Sequence, residues 1–357
     1  MPDSTVAAAG TQYLCGLSPE AVDAHFRAIG EPQFRAAQVL DWFWVKHASS
    51  YDRMSNLPKP LRQRLAAELP LSPLALVDTR RSADATTKLL SRLPDGSLVE
   101  SVLICAPRRL TGCISSQVGC ALRCAFCASG LEGLLRNLTA AEITGQVQLL
   151  EQVAGDRLGN LVFMGMGEPL HNLDAALAAI DILNHPRGAA IGARKITLST
   201  SGLVPGIARL ARDTRQVRLS VSLHAATDEV RDRLMPVNRR FPLAALIAAC
   251  RRYQEATGRM ITFEYILLDD VNCSAAAAAA LVRLLRGLRC KLNLIPYNSV
   301  AGLPYRRPAL ARQRSFLQSL LRSGIPATLR REKGHEISAA CGQLRLQKTR
   351  GGESTCR

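Results

Sequence analysis

Aromatic residues, long apolar runs and acidic residues are all scarce in this sequence of 357 residues. Aromatics make up 4% of the chain and apolar residues 47%, so a core must be built mainly from Leu, Ala, Val and Ile. No apolar run is longer than that from Ala275 to Val282, which is far too short to span a bilayer, so we expect no membrane contact. The first ten residues have an early acid and no basic or long apolar segment, which predicts a cytoplasmic protein without a secretory signal.

The shortage of acidic residues leaves a large positive charge. Lys and Arg total 46 against 29 Asp and Glu, which gives a net charge of +17. Such an excess favours a polyanionic partner, and nucleic acid is the first candidate. A basic surface that serves solubility explains the charge alone about as well.

Apolar patterning divides the chain into five parts. The segment "SPEAVDAHFRAIG" has a Ser N-cap, a Pro at the first helical position and a terminal Gly, which together predict a helix. A strand–turn–strand pattern surrounds Asp95-Gly96, a dipeptide typical of β-hairpins. We therefore expect a disordered tail (1–13), a helical accessory module (14–75), a β-hairpin connector (76–110), a core (111–345) and a C-terminal tail (346–357).

The core has an α/β pattern, because short β-rich runs alternate with helical segments beyond residue 112. Repeated β-α units predict a parallel sheet, either open or curved into a barrel. About six strands are too few for an eight-stranded barrel. The strand candidates are "NLVFMGM", "RKITLST", "QVRLSVSL", "MITFEYILL", "CKLNLIPY" and "PATLRR"; the helix candidates are 139–152, 174–183, 242–257 and 274–288.

Three of the 11 cysteines lie within eight positions, in "GCALRCAFC". In a reducing compartment, clustered cysteines favour metal binding or catalysis over structural disulfides. Cys120, Cys124 and Cys127 could instead share one face of a helix as plain core. A structural zinc site would need a fourth ligand, and no second cysteine pair lies nearby. An iron–sulfur cubane could take three thiolates and leave its fourth iron open to a small molecule.

Polar residues follow several of the predicted strands. "MGMGEPL" comes directly after the apolar run "NLVF", and "TLSTSG" and "SVSLHA" also lie at strand ends. Ligands gather at the carboxyl ends of parallel strands, so these segments are binding-site candidates. Taken singly, each Ser or His could equally be a strand-terminal cap. With Phe126 before the last cysteine, the C-x3-C-x2-C spacing resembles the radical S-adenosylmethionine superfamily.

The C-terminal segment "ISAACGQL" makes a more specific match. With "GCISSQVGCALRCAFC", "FMGMGEPLHN", "SLHAATDEVRDRLMPVN" and "KLNLIPYN", it resembles the RlmN/Cfr family of radical S-adenosylmethionine RNA methyltransferases, and most of all the RlmN branch. The resemblance covers roughly residues 18–345. It implies a partial (β/α)6 barrel with a small N-terminal helical RNA-binding module.

The resemblance also implies the activity. The expected reaction is methylation of carbon 2 of an adenosine in 23S rRNA and in tRNA, with a 4Fe–4S cluster and two S-adenosylmethionine molecules per turnover. Cys341 would carry the methyl group as S-methylcysteine, and Cys113 would release the product through a transient disulfide. Glu100 would be the proton acceptor, or else a solvent-facing strand carboxylate. The implied cofactor-contacting residues are Gly167, Glu168, Ser199, Ser222, Leu223, His224 and Asn298.

Other readings remain open from the sequence. The family also contains enzymes that act at carbon 8, and a non-catalytic RNA-binding metalloprotein would need neither Cys113 nor Cys341. A radical enzyme with a small-molecule substrate fits the basic charge less well. The resemblance further implies a monomer that receives electrons from flavodoxin or ferredoxin. His335-Glu336 departs from the more acidic pair that is frequent in the family before the terminal cysteine.

Overall fold

The computed structural model describes residues 11–107, 109–298, 302–330 and residue 337. Cys341, the pair His335-Glu336 and the predicted C-terminal tail lie outside these residues, as do the first ten residues. None of the helices within the described ranges is long and apolar enough to cross a membrane.

The N-terminal segment forms a compact helical unit. The hydroxyl of Ser18 caps its first helix by accepting a hydrogen bond from the Ala21 N–H at 3.2 Å. Phe26, Phe43 and Trp44 are fully or almost fully buried, so aromatic side chains form part of the core of this unit. Its helices are α1 (Pro19–Ala28), α2 (Gln33–Leu40), which runs into a π-helical turn at Asp41–Val45, and α3 (Lys59–Glu68).

A ten-stranded sheet follows, within the described part of the chain, and a two-stranded sheet lies beside it. The strands are β1 (Ala75–Arg81), β2 (Thr87–Arg92), β3 (Leu98–Ala106), β4 (Arg109–Cys113), β5 (Gln117–Gly119), β6 (Leu134–Asn137), β7 (Asn160–Phe163), β8 (Ile196–Thr200), β9 (Arg218–Ser222), β10 (Ile261–Leu267), β11 (Cys290–Pro296) and β12 (Ala327–Leu329). The order in the large sheet is β1-β2-β3-β4-β7-β8-β9-β10-β11-β12. Strands β1 to β4 pair antiparallel.

From β4 onward every pairing in the large sheet is parallel. The connecting helices are α4 (Ala140–Ala154), α5 (Leu173–Asn184), α6 (Val204–Leu210), α7 (Asp228–Leu234), α8 (Leu243–Thr257), α9 (Ala275–Leu285) and α10 (Leu310–Arg322). The predicted parallel sheet of β-α units is thus confirmed. It has one strand more than the six predicted, because β4 pairs with both β3 and β7.

The two faces of the parallel strands differ in polarity. In β8 and β11 buried residues alternate with partly buried ones, and all the buried ones except Thr200 are apolar; Leu198 and Leu292 show no exposed surface. Ser199 and Asn293 occupy the alternating positions. Successive side chains of a strand point to opposite faces, so one face packs against helices and the other is polar. We call the second face the inner face.

The helical module is attached to the barrel through α4 and α5. The Thr144 hydroxyl donates to the Cys15 carbonyl at 2.7 Å, and the Cys15 thiol donates to the Ala141 carbonyl at 3.3 Å. At the end of α5, Arg187 forms a two-bond ion pair with Asp23 of α1, at 2.8 and 2.9 Å. The helical module is therefore joined to the rest of the chain by hydrogen bonds to backbone carbonyls and by an ion pair.

Candidate active site

The three clustered cysteines lie on a loop between β5 and β6. Pairing of these two strands brings the ends of the loop together, and the Cys120 N–H donates to the Gly133 carbonyl at 2.8 Å. Gly119, with φ of +76°, lies so close to that carbonyl that an added Cβ would meet its oxygen at 2.0 Å. Only glycine fits there, and the loop therefore begins in a fixed geometry.

This cysteine loop is built from turns, so the alternative in which its thiols share one helical face is wrong. The Cys127 N–H donates to the Cys124 carbonyl at 3.0 Å, and Arg123 has a left-handed backbone with φ of +49°. None of the three cysteines forms a disulfide. The turns direct three thiols from one short segment, as a multi-iron cluster requires.

Burial makes these thiols hard to ionise without a nearby positive charge. It raises the pKa of Cys120 to about 12, and the pKa of Cys124 rises through burial and through the charges of Cys127 and Cys120. Among the described residues, no three His, Cys, Asp or Glu side chains converge as ligands of one metal ion would. Bound iron would supply the missing positive charge, and a cubane spreads its thiolates over different irons, so the loop fits a 4Fe–4S cluster better than single zinc.

One side of the cysteine loop is apolar. The ring of Phe126 meets the imidazole of His224 edge to face, with centroids 4.8 Å apart. The Ala125 N–H donates to the Leu234 carbonyl at 2.9 Å, which ties the loop to the end of α7. Ala128 and Met235 belong to the same small apolar cluster. This wall limits access of water to the loop.

The "MGMGEPL" segment lies against the strand that leads to the cysteines. A Cβ on Gly165 would meet the Ile114 carbonyl carbon at 2.7 Å, and one on Gly167 would meet Gln117 Cβ at 2.5 Å. Gly167 also has φ of +100°. Only glycine lets this segment lie so close to residues 114–117 at both positions, and the close packing places Glu168 beside the cysteine loop.

Glu168 is buried and hydrogen-bonded through both carboxylate oxygens. Oε1 accepts from the Leu170 N–H at 3.0 Å and Oε2 from the Ser201 N–H at 2.7 Å. Burial raises the pKa of Glu168 to about 7, in spite of these bonds. The Ser201 contact links the loop after β7 to the loop after β8. A charged donor from a ligand would stabilise the ionised carboxylate.

His224 is held as a neutral imidazole. Its Nδ1 accepts from the Ile266 N–H at 3.0 Å, so Nε2 carries the hydrogen. Burial, with a smaller effect of Arg231, lowers the pKa of His224 to about 3. Its backbone is left-handed, with φ of +59°. Asn298 follows β11 and has a buried Oδ1 that accepts no hydrogen bond from the described residues.

Arg231 connects the loops around the site and was not singled out by sequence reasoning. Its guanidinium shows no exposed surface and donates to the carbonyls of Ser201 at 2.7 Å, Ser222 at 3.1 Å and Leu223 at 3.1 Å. Burial lowers its pKa to about 10. In "DEVRDRL" this residue has the pattern of an exposed helical arginine, so the sequence carries no signal for its role.

Glu100 and Cys113 lie on the inner face, next to the antiparallel strands. Glu100 is 3% exposed, so the alternative of a solvent-facing carboxylate is wrong. Cross-strand pairing places Lys88 opposite Val102, and Val102 opposite Cys113, so all three share a face with Glu100. Burial raises the pKa of Cys113 to about 11, while Arg330 and Lys88 act to lower it. Lys88 is fully buried, and its only signal was a lysine inside the apolar run "TTKLLSR".

The structure brings most of the sequence-predicted site residues to the carboxyl edge of the parallel strands. Electrostatic and hydrogen-bond contacts run from Cys120 and Cys124 to Glu168, and from Arg231 to Ser222 and Leu223. Ser199 occupies the inner face of β8, and Asn298 lies just beyond β11. Cys341 lies outside the described residues. The carboxyl edge of the sheet can therefore bind a small charged molecule beside an iron–sulfur cluster.

Comparisons with known proteins agree with this geometry. The Radical SAM superfamily model matches residues 114–277, and the model of the ribosomal RNA large subunit methyltransferase N-terminal domain matches residues 12–70. A probable dual-specificity RNA methyltransferase RlmN from Akkermansia muciniphila is 52% identical over 89% of this chain and 91% of its own. A probable dual-specificity RNA methyltransferase RlmN 3 from Opitutus terrae is 50% identical, over 94% of each chain.

A solved structure shows the same fold at similar identity. The crystal structure of a radical SAM methyltransferase from Sphaerobacter thermophilus has a TM-score of 0.89 and 49% identity, over 93% of this chain and 98% of that one. The resemblance inferred from the motifs is confirmed, and so is the radical SAM fold. The chain belongs to the RlmN family of radical S-adenosylmethionine RNA methyltransferases, transferases that use a 4Fe–4S cluster and S-adenosylmethionine.

Proposed function

We propose that the protein methylates carbon 2 of an adenosine in 23S rRNA and of an adenosine in tRNA. The observation that carries the proposal is the placement of Cys113 and Glu100. Both are buried on the inner face of a sheet whose carboxyl edge holds the three-cysteine loop. The relatives named dual-specificity RNA methyltransferases, at about half identity over nearly the whole chain, support two RNA substrates.

Cys120, Cys124 and Cys127 would hold the cluster. When bound, the cluster supplies the electron that cleaves S-adenosylmethionine to a hydrogen-abstracting radical. The apolar wall at Phe126 and His224 keeps water from this chemistry. The chain's own contribution is to fix the three thiols and exclude solvent.

The cofactor would be held by the loops around Glu168. Its carboxylate lies in the loop that packs against the strand leading to the cysteines, so it is placed to accept from the ammonium group of S-adenosylmethionine. Gly167 leaves room for this approach. Ser199, Ser222, Leu223 and neutral His224 line adjoining strand ends. The Oδ1 of Asn298, which accepts no hydrogen bond from the described residues, offers a further acceptor to the cofactor.

The RNA would react on the inner face. Cys341 would carry the methyl group, which would lose one hydrogen atom to the 5′-deoxyadenosyl radical and add to carbon 2 of adenine as a methylene bridge. The hydrogen of carbon 2 would then leave as a proton to Glu100, and the one electron left over would return to the oxidised cluster. The Cys113 thiolate then attacks the Cys341 sulfur. An S–S bond forms and the S–CH2 bond breaks. The electron pair stays on the methylene carbon, which takes up a proton to become the methyl group, and an external thiol later reduces the disulfide.

The positive charge and the helical module supply the RNA contacts in this proposal. The module presents exposed cations such as Arg53, Lys59 and Arg64 around an apolar core. Phosphate contacts of this kind give affinity without sequence preference. We further propose that the protein acts as a cytoplasmic monomer that receives electrons from flavodoxin or ferredoxin.

The decisive experiment is nucleoside mass spectrometry of 23S rRNA and tRNA from a strain that lacks the gene. Loss of 2-methyladenosine from both RNAs, restored by the wild-type gene, is expected. Loss of 8-methyladenosine would favour the carbon 8 alternative instead. Unchanged nucleosides in both RNAs would overturn the proposal.

A second experiment separates the two cysteines. Cys113→Ala should retain RNA covalently attached through Cys341, because the adduct cannot be released, whereas Cys341→Ala should carry no RNA and form no product. Denaturing electrophoresis and mass analysis of protein expressed in cells measure both. Cys250→Ala, at a buried cysteine of α8, is the matched control and should carry no RNA. Cys113→Ala protein without covalently attached RNA would show that the assigned roles are wrong.

A further inference from the structure

Glu264 is a buried carboxylate on the inner face for which the mechanism above has no role. It lies in the middle of β10, paired with Ser222 of β9 and Asn293 of β11, and is 4% exposed. A glutamate at this depth is rare unless it is paired or binds something. The segment "FEYILL" showed it only as one charge in an apolar run.

The donors that described residues direct at this carboxylate all reach the same oxygen. Oε1 accepts from the Ser220 hydroxyl at 2.9 Å and from the Asn293 amide at 3.0 Å. The Asn293 Oδ1 in turn accepts from the Thr328 hydroxyl at 3.0 Å, which fixes the amide. Three strands therefore hold the carboxylate in one orientation.

The second oxygen is left without a donor. Glu264 Oε2 is buried and accepts no hydrogen bond from the residues that the structure describes. An unsatisfied buried acceptor costs free energy that a ligand donor recovers on binding. A rigid carboxylate with one oxygen satisfied and one free is prepared for a ligand with a hydroxyl or amino hydrogen.

We propose that Glu264 is a ligand-binding residue whose Oε2 accepts a hydrogen bond from an O–H or N–H group of an adenosine bound on the inner face. The inference rests on the proposed function, which brings two adenosines to the barrel, one in S-adenosylmethionine and one in the RNA. Both carry ribose and 6-amino donors, and acidic side chains commonly bind ribose hydroxyls. Ser222, opposite Glu264 in the sheet, is already a candidate cofactor contact.

The test is Glu264→Gln in the cluster-containing holoenzyme. The amide keeps the size of the side chain but removes its charge, and bonds to a charged acceptor are the stronger ones, so binding should fall about ten- to a hundredfold. One arm measures the Kd of S-adenosylhomocysteine by calorimetry. The other measures the Kd and KM of an RNA hairpin that contains the target adenosine. A lower affinity in the first arm assigns the donor to the cofactor, and in the second arm alone to the target nucleotide.

Glu151→Gln is the matched control, because Glu151 is also a buried glutamate whose Oε2 accepts no hydrogen bond from the described residues, but it lies on α4. It should leave both affinities unchanged. Unchanged affinities in both arms for Glu264→Gln, in protein that still methylates RNA, would overturn the inference and leave the proposed function intact. Should the Gln variant fail to fold, Glu264→Asp, which keeps the charge but withdraws the oxygen, gives the same readings.

Discussion

The helical module and the barrel bury different kinds of side chain. Within the described residues of the module, Asp23 alone is a buried charge, and it pairs with Arg187 of the barrel. The carboxyl edge and inner face of the barrel bury Glu168, Arg231 and Glu264. Since burying an ion costs free energy, the interior of the module serves folding, whereas the buried groups of the barrel edge serve binding. The following variants test that difference.

The largest effect is expected at the cysteine loop. Cys124→Ala should abolish methylation and reduce iron from about four atoms per chain to none, because three thiolates are needed to hold the cubane. The protein should remain folded, as the loop is fixed by backbone bonds. Iron analysis after anaerobic reconstitution and circular dichroism measure this, with Cys250→Ala as control. Full iron content in Cys124→Ala would contradict the assignment.

Arg231→Met should give the largest loss of stability. The change leaves the carbonyls of Ser201, Ser222 and Leu223 without their donor in a buried site, at a cost of about 3 kcal/mol or more. Urea unfolding measures it. Arg209→Met, which removes an exposed ion pair to Asp174, should be indistinguishable from wild type. Equal midpoints of urea unfolding for Arg231→Met and wild type would show that this buried charge does not stabilise the fold.

The contact between module and barrel should respond to pH. His47 Nδ1 and Glu151 Oε2 lie 3.7 Å apart, and neither atom forms a hydrogen bond within the described part of the chain. Burial lowers the pKa of His47 and raises that of Glu151 to about 7. A raised carboxyl pKa means that the folded state binds more protons between about pH 4.5 and 7, so stability falls as pH rises through that window.

Glu151→Gln removes this loss. The variant should match wild type near pH 5 and exceed its unfolding free energy by about 2–3 kcal/mol at pH 8. The effect of His47, which destabilises below about pH 6.5, is present in both proteins. Unfolding curves at several pH values measure the difference. A pH-independent difference would rule out titration of Glu151 as the cause.

The smallest effect is expected on the module surface. Arg53→Ala and Lys59→Ala should each weaken RNA binding only a few fold and reduce the slope of log K against log salt by about 0.7–0.9. Filter binding over a range of salt concentrations measures this. Arg252→Ala, an exposed cation on α8, is the control. A larger loss for Arg252 than for the module residues would move the RNA surface elsewhere.

Local signals in the sequence predicted the repeating elements well. The runs around β7 to β12 and the helices α4, α5, α8 and α9 have strong periodicity, and each lies within a few residues of its predicted place. Strand β4 was missed as part of the parallel sheet, since "RLTGC" is short and half polar. Its place depends on pairing with β3 and β7, which no local pattern shows.

The candidate site was predictable where a residue type is itself unusual. Three clustered cysteines and Gly-Glu-Pro after a strand are such cases. Arg231 and Glu264 were not, because their roles come from carbonyls and amides that distant segments bring near. The burial of Glu100 was also hidden, since alternation along one strand does not say which face is covered by the rest of the chain.

The attachment of the module has a consequence for how an RNA is chosen. Gly16 lies so close to Ala141 that an added Cβ would meet the alanine methyl at 2.6 Å, and the Asp23–Arg187 pair fixes a second point. A unit held at two points cannot turn to suit each substrate. In the proposed function the module holds the RNA backbone, so different RNAs would have to present their target nucleotide at one common distance and angle from it. Substrates would share a local three-dimensional form and need share no extended sequence.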